Sequence, residues 1–210
     1  MIGDQLTYHL SFKPVTADVI KILKEQFHLK TRFCVAVGGE SGSGKSSLAY
    51  ALLKDIEKET QLKGYLFHAD DYFFLPPKTN HNKRVENIGN VGVKEVNLSL
   101  LDTHLSDFIN GVENINKPLV NYAENTIGQE TINSLDYDFC IVEGTYAMLL
   151  KAPIFKIFIA NDFEATKERR IKRGRDLLNE FNEKVLAIEH DIVKQHKTYA
   201  DLIINNDIER

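Results

Sequence analysis

The chain has 210 residues, 43% of them hydrophobic and 27% charged, and its formal net charge at pH 7 is −4. This length suits a single α/β domain with a sizeable core, and the mildly acidic balance argues against a dedicated nucleic-acid binder. No apolar run approaches the roughly 20 residues that span a bilayer, and Met1–Phe12 lacks the pattern of a secretory signal. We therefore expect a soluble, cytoplasmic protein with neither a nucleic-acid nor a membrane partner.

Apolar residues at helical spacing predict a first helix over residues 16–29, with Thr16 as its cap. A short apolar run at residues 33–37 then predicts a buried parallel strand. The next predicted helix ends at about Thr60, and residues 65–69 form the second predicted strand. The chain thus opens with helices and strands in alternation.

A polar segment at residues 75–97 interrupts this alternation and is too long for a tight connection. We interpret it as a surface loop that serves as a substrate element. A helix is predicted over residues 98–109 and an edge strand over residues 118–122, whereas residues 124–133 carry no clear pattern. The remaining predicted elements are strands at residues 139–142, 154–160 and 201–205, and helices from Asp162 and over residues 177–196. Strands that alternate with helices imply a parallel, doubly wound sheet.

The sequence Gly-Glu-Ser-Gly-Ser-Gly-Lys-Ser, which follows the first strand, matches the phosphate-binding pattern G-x-x-x-x-G-K-[ST]. Its glycines let the backbone curl, so that successive N–H groups point at phosphate oxygens. Lys45 can reach the β- and γ-phosphates, and Ser46 offers a hydroxyl to Mg²⁺. The predicted nucleotide-binding residues are Gly39, Glu40, Ser41, Gly42, Ser43, Gly44, Lys45, Ser46 and Ser47. We name Gly39–Ser46 the phosphate loop, and it predicts a nucleoside triphosphate site.

Acidic residues follow two of the predicted strands, at the edge of the sheet where ligands gather in such folds. Asp70 and Asp71 come after the second strand, and Glu143 follows the strand at residues 139–142. Phosphoryl transfer needs Mg²⁺ near the phosphates and often a carboxylate that accepts the proton of the acceptor hydroxyl. Asp70 is the predicted base, and Ser46, Asp70 and Glu143 are the predicted Mg²⁺ ligands. A helix cap or a turn is the alternative role for each carboxylate.

A basic run occupies residues 167–175, with six cations in nine residues. Arg169 and Arg173 lie one helical turn apart and share a face, so both can project over the phosphate loop. We predict a lid over residues 164–178 that clamps the transferring phosphoryl group. The predicted catalytic residues are Lys45, Asp70, Arg169 and Arg173. A solvated basic helix face is the alternative.

These motifs, in this order, resemble the uridine kinase and phosphoribulokinase family. The segments that carry the resemblance are the phosphate loop, Asp70-Asp71-Tyr72-Phe73, Ile141-Val142-Glu143-Gly144 and the basic run. In addition, the segment from Lys197 to Ile204 is close to the Lys-x-Tyr-Ala-Asp-x-Ile-Ile that ends uridine kinases. The resemblance covers residues 33–205. It implies a single P-loop kinase domain over residues 1–210, with a substrate-binding excursion at residues 75–135.

The resemblance implies ATP as the donor, Mg²⁺, Asp70 as the base, and a nucleoside-like acceptor, best matched by the 5′-hydroxyl of uridine or cytidine. The implied substrate-binding residues are Asp70, Tyr72, Arg84, Tyr122 and Glu143. The two arginine pieces of the family's lid merge here, its Asp-His-Pro segment is replaced at residues 90–95, and its histidine after Tyr122 is absent. Another small acceptor, such as a sugar, a vitamin or a glycerate-like acid, therefore stays open. A P-loop regulatory protein as the function and a homo-oligomer as the assembly also stay open.

Overall fold

The computed structural model describes residue 2 and residues 6–29, 31–173 and 179–205, without the side chains of Arg169, Lys172 and Arg173. The strands are β1 (Phe33–Gly39), β2 (Gly64–His68), β3 (Asn114–Asn121), β4 (Thr126–Asn133), β5 (Phe139–Gly144), β6 (Phe155–Ile159) and β7 (Leu202–Ile204). The helices are α1 (Lys13–His28), α2 (Lys45–Thr60), α3 (Pro77–Glu86), α4 (Leu98–Ile109), α5 (Lys167–Arg173) and α6 (Glu180–Val193).

A parallel sheet of five strands forms the centre of the described part of the chain, in the order β2-β5-β1-β6-β7. β1 pairs with β5 on one side and with β6 on the other, and β2 and β7 form the two edges. Because parallel strands need crossover connections, helices cover both faces of this sheet. The predicted α/β class with a doubly wound parallel sheet is confirmed.

Alternate residues of β1 face opposite sides of the sheet and so divide the core in two. Val35 and Val37 belong to the cluster that contains the buried side chains of α1 and α2. Cys34 and Ala36 belong to the cluster that contains the buried side chains of α4. Every residue of β1 is buried, which explains why the strand appears in the sequence as a continuous apolar run without polar alternation.

The segment at residues 75–97 is not the surface loop that the sequence suggested, because it contains α3. This helix begins at Pro77, where a proline is favoured because the first N–H groups of a helix have no partner within it. Its buried residue is the polar Asn80. Helical spacing of apolar residues therefore could not reveal it.

The predicted strand at residues 118–122 coincides with the second half of β3, but it is not an edge of the parallel sheet. This strand pairs antiparallel with β4 in a separate two-stranded ribbon. Asn125, in the turn between them, has a φ of 54°, a left-handed conformation that asparagine tolerates. β4 buries Ile132 and is otherwise mostly polar, so its sequence carried no strand pattern.

Two later helices are shorter than predicted. α5 begins at Lys167, after a turn, and not at Asp162. The predicted helix over residues 177–196 corresponds to α6, followed by a 3₁₀ turn over Lys194–Tyr199, while residues 177 and 178 lie outside the described residues. None of the helices in the described ranges is long and apolar enough to cross a membrane.

Asp55 of α2 anchors α1, which begins at Lys13 and not at the predicted Thr16. The buried carboxylate accepts hydrogen bonds from the Tyr8 hydroxyl and the Lys13 ammonium, both at 2.8 Å, and from the Thr16 hydroxyl. Thr16 therefore contacts α2 and does not cap α1. Burial raises the pKa of Asp55, but the hydrogen bonds from Lys13, Thr16 and Tyr8 outweigh burial, and the pKa lies below its ordinary value.

We expect Asp55→Asn to lower the free energy of unfolding at pH 7 by about 1–3 kcal/mol, because hydrogen bonds to a charged group contribute about this much. Since the pKa of Asp55 is lower in the folded state, its contribution is complete above the ordinary aspartate pKa of about 4 and is lost as the pH falls through the folded value. The difference between wild type and variant should therefore narrow in acid.

Urea denaturation at neutral and acid pH measures this difference. Glu59→Gln removes the other, half-exposed carboxylate that contacts Lys13 and serves as the control, with an expected change below about 0.5 kcal/mol. Equal stability of Asp55→Asn and wild type at pH 7 would show that Asp55 does not anchor α1.

Candidate active site

The phosphate loop connects the C-terminal end of β1 to the N-terminus of α2. Gly42 and Gly44 have φ angles of 78° and 98°, in the left-handed region that favours glycine. Gly44 is the cap of α2, so the first N–H groups of the helix, which have no acceptor within it, lie at the loop. A curled backbone next to a helix N-terminus is an anion-binding geometry.

Lys45 and Ser46 begin α2 and bring a cation and a hydroxyl to this anion site. The Lys45 ammonium donates a hydrogen bond to the Glu40 carbonyl oxygen at 2.9 Å, across the loop. The Ser46 hydroxyl lies near enough to the carboxylate of Glu143, at the end of β5, to lower the pKa of that carboxylate. The cation, the hydroxyl and the carboxylate are therefore neighbours.

The carboxylate of Glu40 holds the phosphate loop to two other segments. Its Oε2 accepts a hydrogen bond from the Phe163 backbone N–H, and its Oε1 lies 2.8 Å from Nδ1 of His190 on α6. The Glu40 side chain is 8% exposed. A carboxylate repels phosphate, so the backbone N–H is the part of Glu40 that suits nucleotide binding.

The base of the predicted lid packs directly on the phosphate loop. The Thr166 hydroxyl donates a hydrogen bond to the Ser41 carbonyl oxygen at 3.1 Å, and a Cβ built on Gly42 would lie 2.8 Å from Cγ of Arg170. The Arg170 guanidinium in turn donates hydrogen bonds to the Phe163 carbonyl oxygen and the Thr166 hydroxyl. The start of α5 therefore fits closely against the loop.

Arg169 and Arg173, the predicted lid arginines, belong to the backbone of α5, but their side chains lie outside the described residues, as do residues 174–178. Sequence reasoning missed Arg170, because it selected the face that Arg169 and Arg173 share. Arg170 lies about 100° away from Arg169 around the helix, and this offset brings it against the phosphate loop.

Asp70 and Asp71 lie in the 3₁₀ turn after β2 and have different environments. Asp71 is fully buried and accepts hydrogen bonds from the Val120 backbone N–H at 2.9 Å and from the Lys117 ammonium at 3.1 Å. Asp70 lines a cavity of about 610 Å³. The structure thus gives Asp71 a structural role and leaves Asp70 as the carboxylate that can meet a ligand.

Glu143 is paired with His68, which the sequence did not single out. The Nδ1 atom of His68 lies 2.7 Å from Oε1 of Glu143, and both side chains are buried. Burial raises the pKa of Glu143, but His68, Lys45 and Ser46 together lower it below its usual range. Glu143 faces Ser46 and does not line the cavity, so its position suits the predicted metal role and not the predicted acceptor role.

A cavity of about 610 Å³ lies between the phosphate loop, the turn after β2, α3 and α6. Ser41 and Asp70 both line it, so the nucleotide side and the predicted base share one space. Its apolar and aromatic lining includes Phe73, Leu75, Val120, Tyr122, Val185 and Leu186, and its polar lining includes Asn80, His81, Arg84, Thr145, Asn182 and Glu189. The cavity can hold a small molecule with an apolar ring and several hydrogen-bonding groups.

Tyr72 does not line this cavity, unlike the predicted acceptor residues Asp70, Arg84 and Tyr122. The Tyr72 side chain is 1% exposed, and its hydroxyl lies 2.9 Å from Nδ1 of His104 on α4. The turn sends this large ring into the core, where burial of aromatic surface is favourable. The prediction that Tyr72 binds the acceptor is therefore wrong for this structure.

Arg84 reaches the cavity, but its guanidinium is already paired with two carboxylates. Its Nη2 lies 2.9 Å from Oε2 of Glu95 and 2.9 Å from Oε1 of Glu189, and its Nε contacts Oε1 of Glu95. Glu189 lies on α6, 105 positions further along the chain than Arg84, and no spacing in the sequence links the two. Arg84 therefore joins α3 to α6.

Residues 34–207 match the sequence model of the Phosphoribulokinase / Uridine kinase family. The chain is similar to the uridine kinase of Streptococcus thermophilus strain LMD-9, with 27% identity over 188 residues, 83% of this chain and 86% of that relative. It is equally similar to the uridine kinase of Staphylococcus aureus strain JH9, with 27% identity over 189 residues, 84% of this chain and 88% of that relative.

Solved structures share the fold. A possible uridine kinase from Bacillus stearothermophilus has a TM-score of 0.59 and 17% identity, and the match covers 90% of this chain and 98% of that one. Phosphoribulokinase from Rhodobacter spheroides has a TM-score of 0.66 and 11% identity, with 84% and 70% covered. At these identities the likeness concerns the fold alone.

The environments of Asp70 and Asp71 predict effects on stability that differ in size. Asp71→Asn should lower the free energy of unfolding by about 1–3 kcal/mol, because the Lys117 ammonium, which is 2% exposed, loses its buried counter-charge and keeps only the part-exposed carboxylate of Glu130 at 3.2 Å. Asp70→Asn, the matched control in the same turn, should change stability by less than about 1 kcal/mol. Urea denaturation of both variants checks this order, and a larger loss in Asp70→Asn than in Asp71→Asn would reverse the two roles.

Proposed function

Because the chain belongs to the Phosphoribulokinase / Uridine kinase family of P-loop kinases, we propose that it transfers the γ-phosphoryl group of ATP to the 5′-hydroxyl of a pyrimidine nucleoside. The shared cavity carries this proposal, since both Ser41 of the phosphate loop and Asp70 line it. A phosphoryl donor at the loop and an acceptor hydroxyl beside Asp70 would meet in one space. Such proximity is the main requirement of phosphoryl transfer.

Two observations support a nucleoside as the acceptor. The cavity wall combines aromatic and aliphatic side chains with polar ones, which suits a flat base joined to a hydroxyl-bearing sugar. The similar proteins from Streptococcus thermophilus and Staphylococcus aureus are named uridine kinases. Within this proposal Tyr122 contacts the acceptor from the β3 side.

Asp70 accepts the proton of the acceptor hydroxyl in the proposed reaction. The hydroxyl oxygen forms a bond to the γ-phosphorus, the bond from that phosphorus to the bridging oxygen breaks, and ADP leaves with the electron pair of that bond. Lys45 and the N–H groups at the start of α2 stabilise the negative charge on the phosphoryl oxygens. Asp71 keeps Asp70 in place through its buried contacts with Lys117 and Val120.

The side chains at the loop suit Mg²⁺ bound together with a nucleotide. In the described residues, no group of three or more His, Cys, Asp or Glu could hold a metal ion alone. Mg²⁺ usually takes one or two carboxylates together with phosphate oxygens and water. We propose that Ser46, Asp70 and Glu143 hold it, and when bound it neutralises charge on the phosphates.

The acceptor and the base are tested together. Uridine or cytidine should increase ADP release from ATP, and Asp70→Asn should lower this stimulated turnover by roughly 10²–10⁴-fold, because the variant cannot accept the proton. ATP affinity should change much less than turnover, since Lys45 and the N–H groups at the start of α2 also hold the phosphates. A coupled assay for ADP and a nucleotide titration measure both quantities.

Asp136→Asn, at an exposed 3₁₀ turn, is the matched control and should keep wild-type turnover. If a sugar or a vitamin increases ADP release and uridine and cytidine do not, this result would contradict the nucleoside as acceptor and would still support a kinase reaction. Full turnover in Asp70→Asn would reject Asp70 as the base.

We propose that Arg169 and Arg173 of α5 form part of a lid that closes over the transferring phosphoryl group. Arg173→Ala should then lower turnover much more than it weakens ATP binding, and Arg173→Lys should restore it only in part, because an ammonium lacks the planar fork of arginine. Steady-state kinetics measure the effect, with the exposed Lys58→Ala as control. Silent Arg169→Ala and Arg173→Ala variants would remove the lid from the mechanism.

A further inference from the structure

Three charged side chains are in contact on the acceptor side of the cavity, and we name them the Arg84 cluster: Arg84, Glu95 and Glu189. This cluster contains more negative than positive charge. One guanidinium contacts two carboxylates, so the cluster keeps one net negative charge when all three groups are ionised. The three side chains are 16%, 4% and 14% exposed. Their charges are therefore screened less by solvent than those of surface groups.

The two glutamates differ in what else they contact. Glu95 also accepts hydrogen bonds from the Asn80 side-chain amide at 2.8 Å and from the Gly92 backbone N–H at 2.6 Å, so both of its oxygens are fully engaged. Glu189 lines the cavity, and within the described ranges its hydrogen-bond partner is Arg84, through one oxygen. Glu189 is thus the carboxylate of the cluster that a bound acceptor would meet.

The surroundings of the cluster offset its charge only in part: burial raises the pKa of Glu189, while the Arg84 guanidinium and the Lys45 ammonium of the phosphate loop favour its ionised form. Asp70 adds a second carboxylate to the lining, and the positive Lys78 lies on an exposed part of α3. Tyr146, which is buried beside the cluster, has a raised pKa, first because of burial and then because the carboxylates of Glu189 and Glu95 act on it more strongly than Arg84 does. Within the cluster the two carboxylates therefore outweigh the single guanidinium.

We propose that Glu189 is a specificity-determining residue of the acceptor site. It excludes acceptors that carry a phosphate or carboxylate near this wall and admits uncharged molecules with hydroxyl groups, whose O–H groups can donate to its second oxygen. The inference rests on the proposed function, because it concerns the acceptor of that reaction. The Glu189 carboxylate would thus distinguish neutral nucleosides, sugars and alcohols from acids and sugar phosphates that would otherwise fit a cavity of this size.

Pairs of probes that differ in charge test this inference. Uridine is compared with orotidine, which adds a carboxylate to the base, and panthenol with pantothenate, whose carboxylate replaces an alcohol. Binding of each probe is measured by calorimetry with a non-hydrolysable ATP analogue and Mg²⁺ filling the phosphate loop, and turnover is measured separately with ATP. Wild type should bind the neutral member of a pair at least about tenfold more tightly, because a carboxylate within a few ångströms of the probe's charge repels it strongly.

Three variants separate charge from structure. Glu189→Gln should reduce the preference for the neutral member about tenfold, Glu189→Asp should largely keep it because the charge remains, and Glu180→Gln, on the exposed first turn of the same helix, should leave it unchanged. Thermal unfolding is recorded for each variant. If Glu189 serves only in packing, Glu189→Gln and Glu189→Asp should lower stability equally and should leave the ratio of the affinities for the neutral and the charged probe unchanged.

Equal binding of both members by wild type, or an unchanged ratio in Glu189→Gln, would overturn the inference. Failure of the proposed function is a different outcome: a neutral probe that binds with the expected preference but releases no ADP would contradict the kinase reaction and still support the role of Glu189. Binding of neither member of any pair would overturn the inference.

Discussion

The positions of three neighbouring strand ends govern the site. β2, β5 and β1 are adjacent and parallel, so their carboxyl ends lie at one edge of the sheet. In the observed register His68 pairs with Glu143, and Gly38 pairs with Gly144. The turn that holds Asp70, the metal-side carboxylate Glu143 and the phosphate loop therefore adjoin one another. The cavity, the proposed base and the anion site all depend on this arrangement.

Local pattern in the sequence was sufficient for much of the fold. The buried strands appeared as apolar runs because both faces of the sheet are covered, and α4 appeared because its apolar residues lie on one face. α3 and β4 were missed for the same physical reason: each buries few apolar side chains and is held mainly by contacts with distant segments. Glu95 fixes α3 through Asn80 and Arg84, and pairing with β3 fixes β4.

The sequence could predict those residues of the candidate site whose chemistry follows from their position in the chain. The phosphate loop, Asp70 and Glu143 each lie at or just beyond the C-terminal end of a strand, and parallel strands bring such positions together. His68, Glu95 and Glu189 were not predictable, because their roles arise from partners that only the folded chain supplies. Tyr72 was misassigned because a residue in the same turn as Asp70 can face either the cavity or the core, and the sequence does not distinguish the two.

Phosphorus nuclear magnetic resonance of the reaction with ATP, Mg²⁺ and uridine tests most directly whether the loop and Asp70 serve one reaction. The shared cavity predicts a new phosphomonoester signal that grows in equal amount with ADP, with little inorganic phosphate, since the acceptor hydroxyl and not water receives the phosphoryl group. ADP accompanied by inorganic phosphate alone, at a rate that uridine does not change, would contradict a transfer between the two halves of the cavity.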